Sequence, residues 1–284
     1  MGRGVGARAG ADDSDILSGP VQRAHYATGD NLARRQSIFA HLDPARSRGG
    51  SPLQRLELEG HERVLDVGCG NGLWYTRVKQ MAGSVWIGAV DLSMAMVRLT
   101  RTTAGEATTP AVQADAQALP IAGGTLDGVL ALHTLHHVPD HDVALDEARR
   151  VLRPGGWLLV TTNDDTPTAV DELYREALSD AAGRHLERAL PALPFHSGNG
   201  KQILDRHFER VVPARHVSGF AITDPDVLLP GLESVHDVVE ATIGEAVDWD
   251  RANERVRTRA SGVIDRSGAF VYEHAVTSFL CRRT

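Results

Sequence analysis

The stretch VLDVGCGNGLW, residues 64–74, decides how this chain folds. Val64, Leu65 and Val67 form a short apolar, β-branched run that breaks into Gly68-x-Gly70-x-Gly72 before the next segment opens at Leu73. This reads as a buried strand, a tight turn and the start of a helix. Glycine suits such a turn because a Cβ would obstruct both positive φ angles and the approach of a ligand to the backbone. Taken alone, three spaced glycines also describe an ordinary strand-to-helix turn.

Working outward, a second apolar segment over residues 84–90 ends in Asp91, about twenty residues beyond the glycines, where a nucleotide-binding α/β unit places a carboxylate for ribose hydroxyls. A nucleoside ligand follows. A dinucleotide fingerprint needs glycine at its sixth position, where this chain has Leu73, and no hydride-transfer residues are recognisable, so NAD is disfavoured.

From residue 62 onward, strands and helices alternate, the signature of a doubly wound parallel sheet. Strands are predicted near 62–67, 85–90, 110–114, 126–132 and 156–162. Helices are predicted near 72–82, 93–104, 116–119, 141–152 and 168–189. Residues 191–200 read as a loop, 208–220 as a sixth strand, 224–262 as two or three helices and 269–281 as a last strand. Right-handed crossovers put the carboxyl ends of the first five strands on one edge, and the glycine turn, Asp91, Asp115 and His133 with them.

At this point the chain resembles the class I S-adenosylmethionine-dependent methyltransferases. The resemblance rests on Asp66-Val-Gly-Cys-Gly-Asn-Gly72, Asp91-Leu-Ser-Met94, Ala114-Asp115-Ala116 with Leu119-Pro120, Leu126-Asp127-Gly-Val-Leu130 and Leu152-Arg-Pro-Gly-Gly156, and it covers roughly residues 60–165. It is closest to the small-molecule "type 11" group, through Leu135-His-His-Val-Pro-Asp140. It implies a seven-stranded, Rossmann-like α/β sheet that closes with an antiparallel strand and carries helical insertions as a substrate cap. The expected domains are a disordered tail over 1–20, a helical arm or lid over 21–60, and a catalytic domain over 61–284 with substrate-facing segments at 165–205 and 224–262.

The same resemblance implies S-adenosylmethionine as cofactor and assigns residues to it. Gly68, Gly70 and Gly72 would let its methionyl and ribose part lie against the backbone. Asp66 would stand near the methionine ammonium, together with the carbonyl of Leu132 or His133. Asp91 would take both ribose hydroxyls, which suits a group that only accepts. Leu92 and Met94 would sandwich the adenine. Asp115 would accept from the adenine amino group while the Ala116 amide donates to the ring, and Asp115 as a local cap is the competing reading.

Methyl transfer needs alignment more than acid–base chemistry, but a hydroxyl or ammonium acceptor must lose a proton, and histidine is the side chain tuned for that. His137 and His133, just past the fourth strand, are the candidates for base, and His136 joins them as a candidate substrate contact. Packing of His136 and His137 under the loop is the alternative. A metal on His137, Asp140 and His141 is not expected, because no helix sets them at ligand spacing. On the arm, Tyr26 and Arg35 are candidates for the substrate or the methionine carboxylate, against a plain amphipathic helix covering the sheet.

Composition narrows the partners. Usage of 42% hydrophobic and 24% charged residues is that of a soluble globular chain. A net charge of −7 argues against a nonspecific grip on nucleic acid. The basic residues are nearly all arginine, with Lys79 and Lys201 the only lysines, which reads as coding bias rather than phosphate recognition. Cys69 and Cys281 offer neither a disulfide framework nor a zinc spacing, no membrane span or signal peptide is visible, and a cytoplasmic setting is expected. Oligomeric state is not legible in the chain. The expected activity is methyl transfer to oxygen or nitrogen of a small metabolite in bacterial secondary metabolism. RNA or protein methylation, or a cofactor-binding protein that transfers nothing, are the alternatives.

Overall fold

The computed structural model describes residues 16–17, 19–105 and 109–284. Its centre is a seven-stranded sheet in the order β3-β2-β1-β4-β5-β7-β6. The strands are β1 (Arg63–Val67), β2 (Trp86–Asp91), β3 (Ala111–Gln113), β4 (Leu126–Leu132), β5 (Leu152–Asn163), β6 (Arg210–Ile222) and β7 (Phe270–Arg282). The first five are parallel, and β7 runs antiparallel between β5 and β6. Chain order reverses between β1 and β4, and a parallel sheet binds its ligands outside the strand ends at such a switch point.

The helices are α1 (Pro20–His25), α2 (Asp30–Ser37), α3 (Leu73–Met81), α4 (Met94–Ala104), α5 (His141–Val151), α6 (Ala169–Ala181), α7 (Ser197–Leu204), α8 (Leu229–Glu233), α9 (His236–Ile243) and α10 (Trp249–Ser267). Helices cover both faces of the parallel strands, so Val64, Leu65, Leu130, Leu158 and Leu159 are all buried and β1, β4 and β5 read as continuous apolar runs rather than alternations.

Strands β6 and β7 pair over their whole length, but β5 meets β7 only over residues 276–282. The remaining half of the pair projects past the carboxyl edge of the parallel strands as a two-stranded ribbon. Phe220, Ile222, Phe270 and Tyr272 on this ribbon join Leu173 and Leu178 of α6, Leu232 of α8 and Val256 of α10 in a second core, with the Phe220 and Tyr272 rings stacked at 4.7 Å. The cap therefore has its own apolar centre.

The arm closes the outer side. Main-chain bridges join Leu42 to Phe220 and Arg48 to Val217, and Arg55 donates to the carbonyls of Ser278 and Val212, so the edge of β6 is covered. Helix α2 packs on α8, and α1 on α9.

Several boundaries depart from expectation for local reasons. Most of the 1–20 tail lies outside the described residues, yet Ile16 and Leu17 within it are buried, and α1 already starts at Pro20. The single helix expected over the arm is broken between α1 and α2 at residues 26–29. No helix forms at 116–119: Asp115 accepts from the Gln117 N–H in a side-chain turn, and Pro120 blocks continuation. Helix α6 stops at Ala181, ahead of Gly183 at φ 66°, instead of reaching 189. The expected loop at 191–200 turns into α7 at Ser197. His196 Nδ1 accepts from the Gly198 N–H and Asn199 Oδ1 accepts from the His196 N–H there, which offsets the poor helix propensity of Gly198 and Gly200.

Candidate functional site

The glycine turn sits at the carboxyl end of β1 with φ of 70° at Gly68, 56° at Gly70 and 79° at Gly72. A Cβ on Gly68 would come within 2.4 Å of the Thr134 hydroxyl. Thr134 in turn donates to the Val67 carbonyl, so β1 and β4 end in direct contact. At Gly68 the missing Cβ thus makes room for Thr134 and lets the ends of the two strands meet.

Two carboxylates flank this turn and differ in their partners. Asp91 accepts from the Gly70 N–H at 3.0 Å and from the Ser93 N–H at 2.8 Å. Those two bonds fix its plane and leave two lone-pair positions for a diol. Asp66 is 1% exposed, and neither of its carboxylate oxygens has a partner among the described residues. Burial, and then repulsion from Asp91, raises its pKa to about 7. A buried acceptor without a donor costs stability unless a ligand supplies one, so this orphan suits an incoming ammonium.

The rest of the expected cofactor residues fall on the same edge. Leu92 and Met94 are 52% and 37% exposed at the end of β2, which leaves apolar surface for a flat ring. Asp115 is engaged by Gln117 through both N–H and amide in a side-chain turn rather than as the cap of a helix, which leaves only part of its acceptor capacity free. Ala116 packs toward the first core from the same turn. A phosphate-binding character is missing from this set, whose side chains are three acids and apolar groups.

The other side of the site is built by the arm and the β4 loop. His133 has φ 56°, the one positive value outside glycine among the described residues, and its N–H is shared between the carbonyl and hydroxyl of Thr161 at 3.0 Å each. Such a conformation costs about 1–3 kcal/mol, and strain of this kind clusters at functional sites. The Tyr26 hydroxyl lies 3.4 Å from His137 Nε2 and accepts from Arg35 Nη1 at the same distance. Arg35 also donates to His25 Nε2 at 2.9 Å. Burial lowers the pKa of His133 to about 4 and of His137 to about 3, with Arg35 adding to both shifts. His136 is 6% exposed, its ring centred 4.0 Å from that of His137 and tilted against it, and its pKa is also pushed well down by burial, which fits the packing role.

The arm is tied to the cofactor side as well. Ser93 Oγ donates to the Tyr26 carbonyl at 2.8 Å, Asn71 donates to Gln36 at 2.7 Å, and Leu32 lies over Gly70. The structure thus brings Tyr26, Arg35, His133 and His137 together and places the acids beside them. Sequence reasoning missed His25, Asp237 and His274. His25 adjoins Tyr26 in sequence, but Asp237 reaches it from 212 residues away and His274 lies far along the chain from His133, with no motif to mark either. His274, half-buried on the projecting ribbon, is close enough to lower the pKa of His133. Phe195 and Phe220 are core residues, and Trp249 stacks on His236, as ordinary packing predicts. No grouping of metal-ligating side chains occurs among the described residues.

The sheet order and the acid pair beside a glycine turn define the class, an α/β protein built around a nucleoside. The profile described as "Methyltransferase domain" matches residues 65–160. The demethylmenaquinone methyltransferase of Mycolicibacterium vanbaalenii is 36% identical over 169 residues, covering 58% of this chain and 68% of that one. The ubiquinone biosynthesis O-methyltransferase of Xanthomonas oryzae is 32% identical over 148 residues, 50% of this chain and 57% of that one, so the match spans little more than half of that relative. In structure, the [4+2]-cyclase SpnF aligns over 97% of this chain and 99% of its own at a TM-score of 0.55 and 16% identity, a likeness of fold. The chain belongs to the class I S-adenosylmethionine-dependent methyltransferases, and its cofactor is S-adenosylmethionine. No described helix is long and apolar enough to cross a membrane.

Proposed function

We propose that this protein methylates an acidic oxygen of a small metabolite. S-adenosylmethionine, when bound, supplies an electrophilic methyl on a sulfonium, so the protein's task is to align the acceptor and exclude water. Asp66 is assigned to the methionine ammonium with the Leu132 or His133 carbonyl, Arg35 to its carboxylate, Asp91 to the ribose, Leu92 and Met94 to the adenine faces, and Asp115 with Ala116 to the adenine edge. Tyr26 and His137 face the acceptor.

The observation that carries this reading is the pair of buried, strongly depressed histidines beside Tyr26, with no carboxylate bonded to Tyr26, His133, His136 or His137 among the described residues. Histidine at about 3 is a poor proton sink. Transfer from a group titrating near 10, such as an alkylammonium, is uphill by about 10 kcal/mol. A carboxylic acid, an acidic enol such as a hydroxyquinone, or a phenol acidified by electron-withdrawing groups is already ionised near neutrality and avoids that cost. His137 then serves to orient Tyr26, whose hydroxyl donates to Nε2 and keeps a lone pair for the acceptor's hydrogen-bonding group. The relative named as a ubiquinone biosynthesis O-methyltransferase supports a small oxygen acceptor. A place in bacterial secondary metabolism rests on the family resemblance alone.

The test is incubation with S-adenosylmethionine and a panel of phenols, hydroxyquinones, carboxylic acids and alkylamines, read by mass spectrometry. Methylated oxygen acids are expected. Methylation of the alkylamines alone would overturn the reading, and cofactor binding without turnover on any compound would favour a protein that binds but does not transfer.

A further inference from the structure

The contacts of Arg35 run to a residue of the cap. His25 is 2% exposed and lies between Arg35 Nη2 at 2.9 Å from Nε2 and Asp237 Oδ1 at 2.8 Å from Nδ1. A guanidinium has only donors, so Nε2 must be a bare lone pair and the ring proton must sit on Nδ1, pointing at Asp237. One neutral tautomer satisfies both partners. Asp237 Oδ1 also accepts from the Val238 N–H in the first turn of α9, which fixes where the carboxylate stands. Asn31 donates to the His25 carbonyl at 3.1 Å and holds the main chain of the same residue. Arg35 has no carboxylate partner among the described residues, so the two bonds from its guanidinium to His25 and Tyr26 set where it stands.

We propose that Asp237 and His25 are positioning residues that hold Arg35 ready for the methionine carboxylate of the cofactor, so that the cap between β6 and β7 takes part in cofactor recognition. This rests on the assignment of Arg35 made above. Asp237 fixes the His25 tautomer, His25 supplies the lone pair that anchors one arm of the fork, and Tyr26 anchors the other. Without the lone pair, a long and flexible side chain loses its preorganisation before it meets the anion.

Calorimetric titration with S-adenosylhomocysteine, and in parallel with 5′-methylthioadenosine, which lacks the amino-acid part, separates positioning from mere folding. His25→Phe keeps the ring and loses the lone pair; Asp237→Leu loses the tautomer lock. Both should weaken S-adenosylhomocysteine by about tenfold and leave methylthioadenosine unchanged. His25→Gln, whose amide oxygen accepts from Arg35, and Asp237→Asn, whose amide oxygen accepts from Nδ1–H, should bind within about twofold of the parent. Unchanged affinity in His25→Phe and Asp237→Leu overturns the proposal, as does equal weakening of both ligands or failure of the two conservative variants to recover. Arg35→Met distinguishes the underlying assignment. If it binds S-adenosylhomocysteine as the parent does, Arg35 does not meet the carboxylate and the positioning role falls with it. A parent protein that binds neither ligand would instead refute the cofactor site itself.

Discussion

The two sides of the site solve opposite electrostatic problems. The cofactor side holds two acids within a few residues of strand ends that are adjacent in the sheet, one of them orphaned and raised to about 7. The acceptor side gathers an arginine and several histidines from the arm, the β4 loop and the projecting ribbon, and burial holds those histidines neutral. One side stores an unmet demand for a cation. The other sets neutral histidines around one guanidinium and keeps hydrogen-bonding capacity. The difference teaches that ligand recognition here is spread between a locally encoded acid pair and a polar cluster that exists only in the folded chain.

The largest effect should come from breaking the acid pair. Because the folded pKa of Asp66 lies above its unfolded value of 3.8, the stability it gains from staying protonated is present below that value and lost as pH rises toward 7. Asp66→Asn should therefore stabilise the ligand-free protein at pH 8, by up to about 4 kcal/mol, while weakening S-adenosylhomocysteine. A thermal melt that shows no gain removes the claim that this carboxylate is held for a ligand. Asp91→Ala should weaken S-adenosylhomocysteine by about 1.5–3 kcal/mol, the scale of hydrogen bonds to a charged group, and calorimetry with unchanged affinity would sink the ribose assignment.

The acceptor side titrates the other way. Its histidines have folded values below the unfolded 6.5, so their contribution is full above 6.5 and drains away as pH falls toward the folded value. For His133 alone the loss at pH 5 is about 2 kcal/mol, and melting temperature should drop between pH 7 and 5. A flat profile there would mean the cluster is wetter than its burial indicates. Smallest of all, His137→Ala should lower turnover on an oxygen acceptor by about tenfold at saturating cofactor, about 1.4 kcal/mol, and leave S-adenosylhomocysteine affinity intact, whereas Tyr26→Phe should lower turnover and also weaken S-adenosylhomocysteine, because it removes an anchor of Arg35. A loss of several thousandfold in His137→Ala would instead make it a true base and sharpen the contrast in the opposite sense.

How much of this was legible depended on distance along the chain. The strands and the turn were read closely because buried parallel strands are apolar runs and glycine marks positive φ. The helices failed where one residue's side chain overruled the pattern, as Asp115 does by capping its own turn and His196 by capping a helix that contains two glycines. The helical reading of the arm rests on the apolar face of Leu32, Ile38 and Phe39, all beyond residues 26–29, and nothing in it shows that Tyr26 leaves the helix to meet His137 and Ser93.

The sequence by itself determined the α/β class, the carboxyl-edge placement of Asp66, the glycines, Asp91 and Asp115, and the nucleoside nature of the ligand, since each follows from residues contiguous with a strand end. Only the tertiary structure decided that Asp66 is an orphan, that the histidines are held neutral, and that Asp237 reaches Arg35 through His25. Those are properties of burial and of pairs up to 212 residues apart, and no local pattern encodes the free energy of taking a particular group out of water.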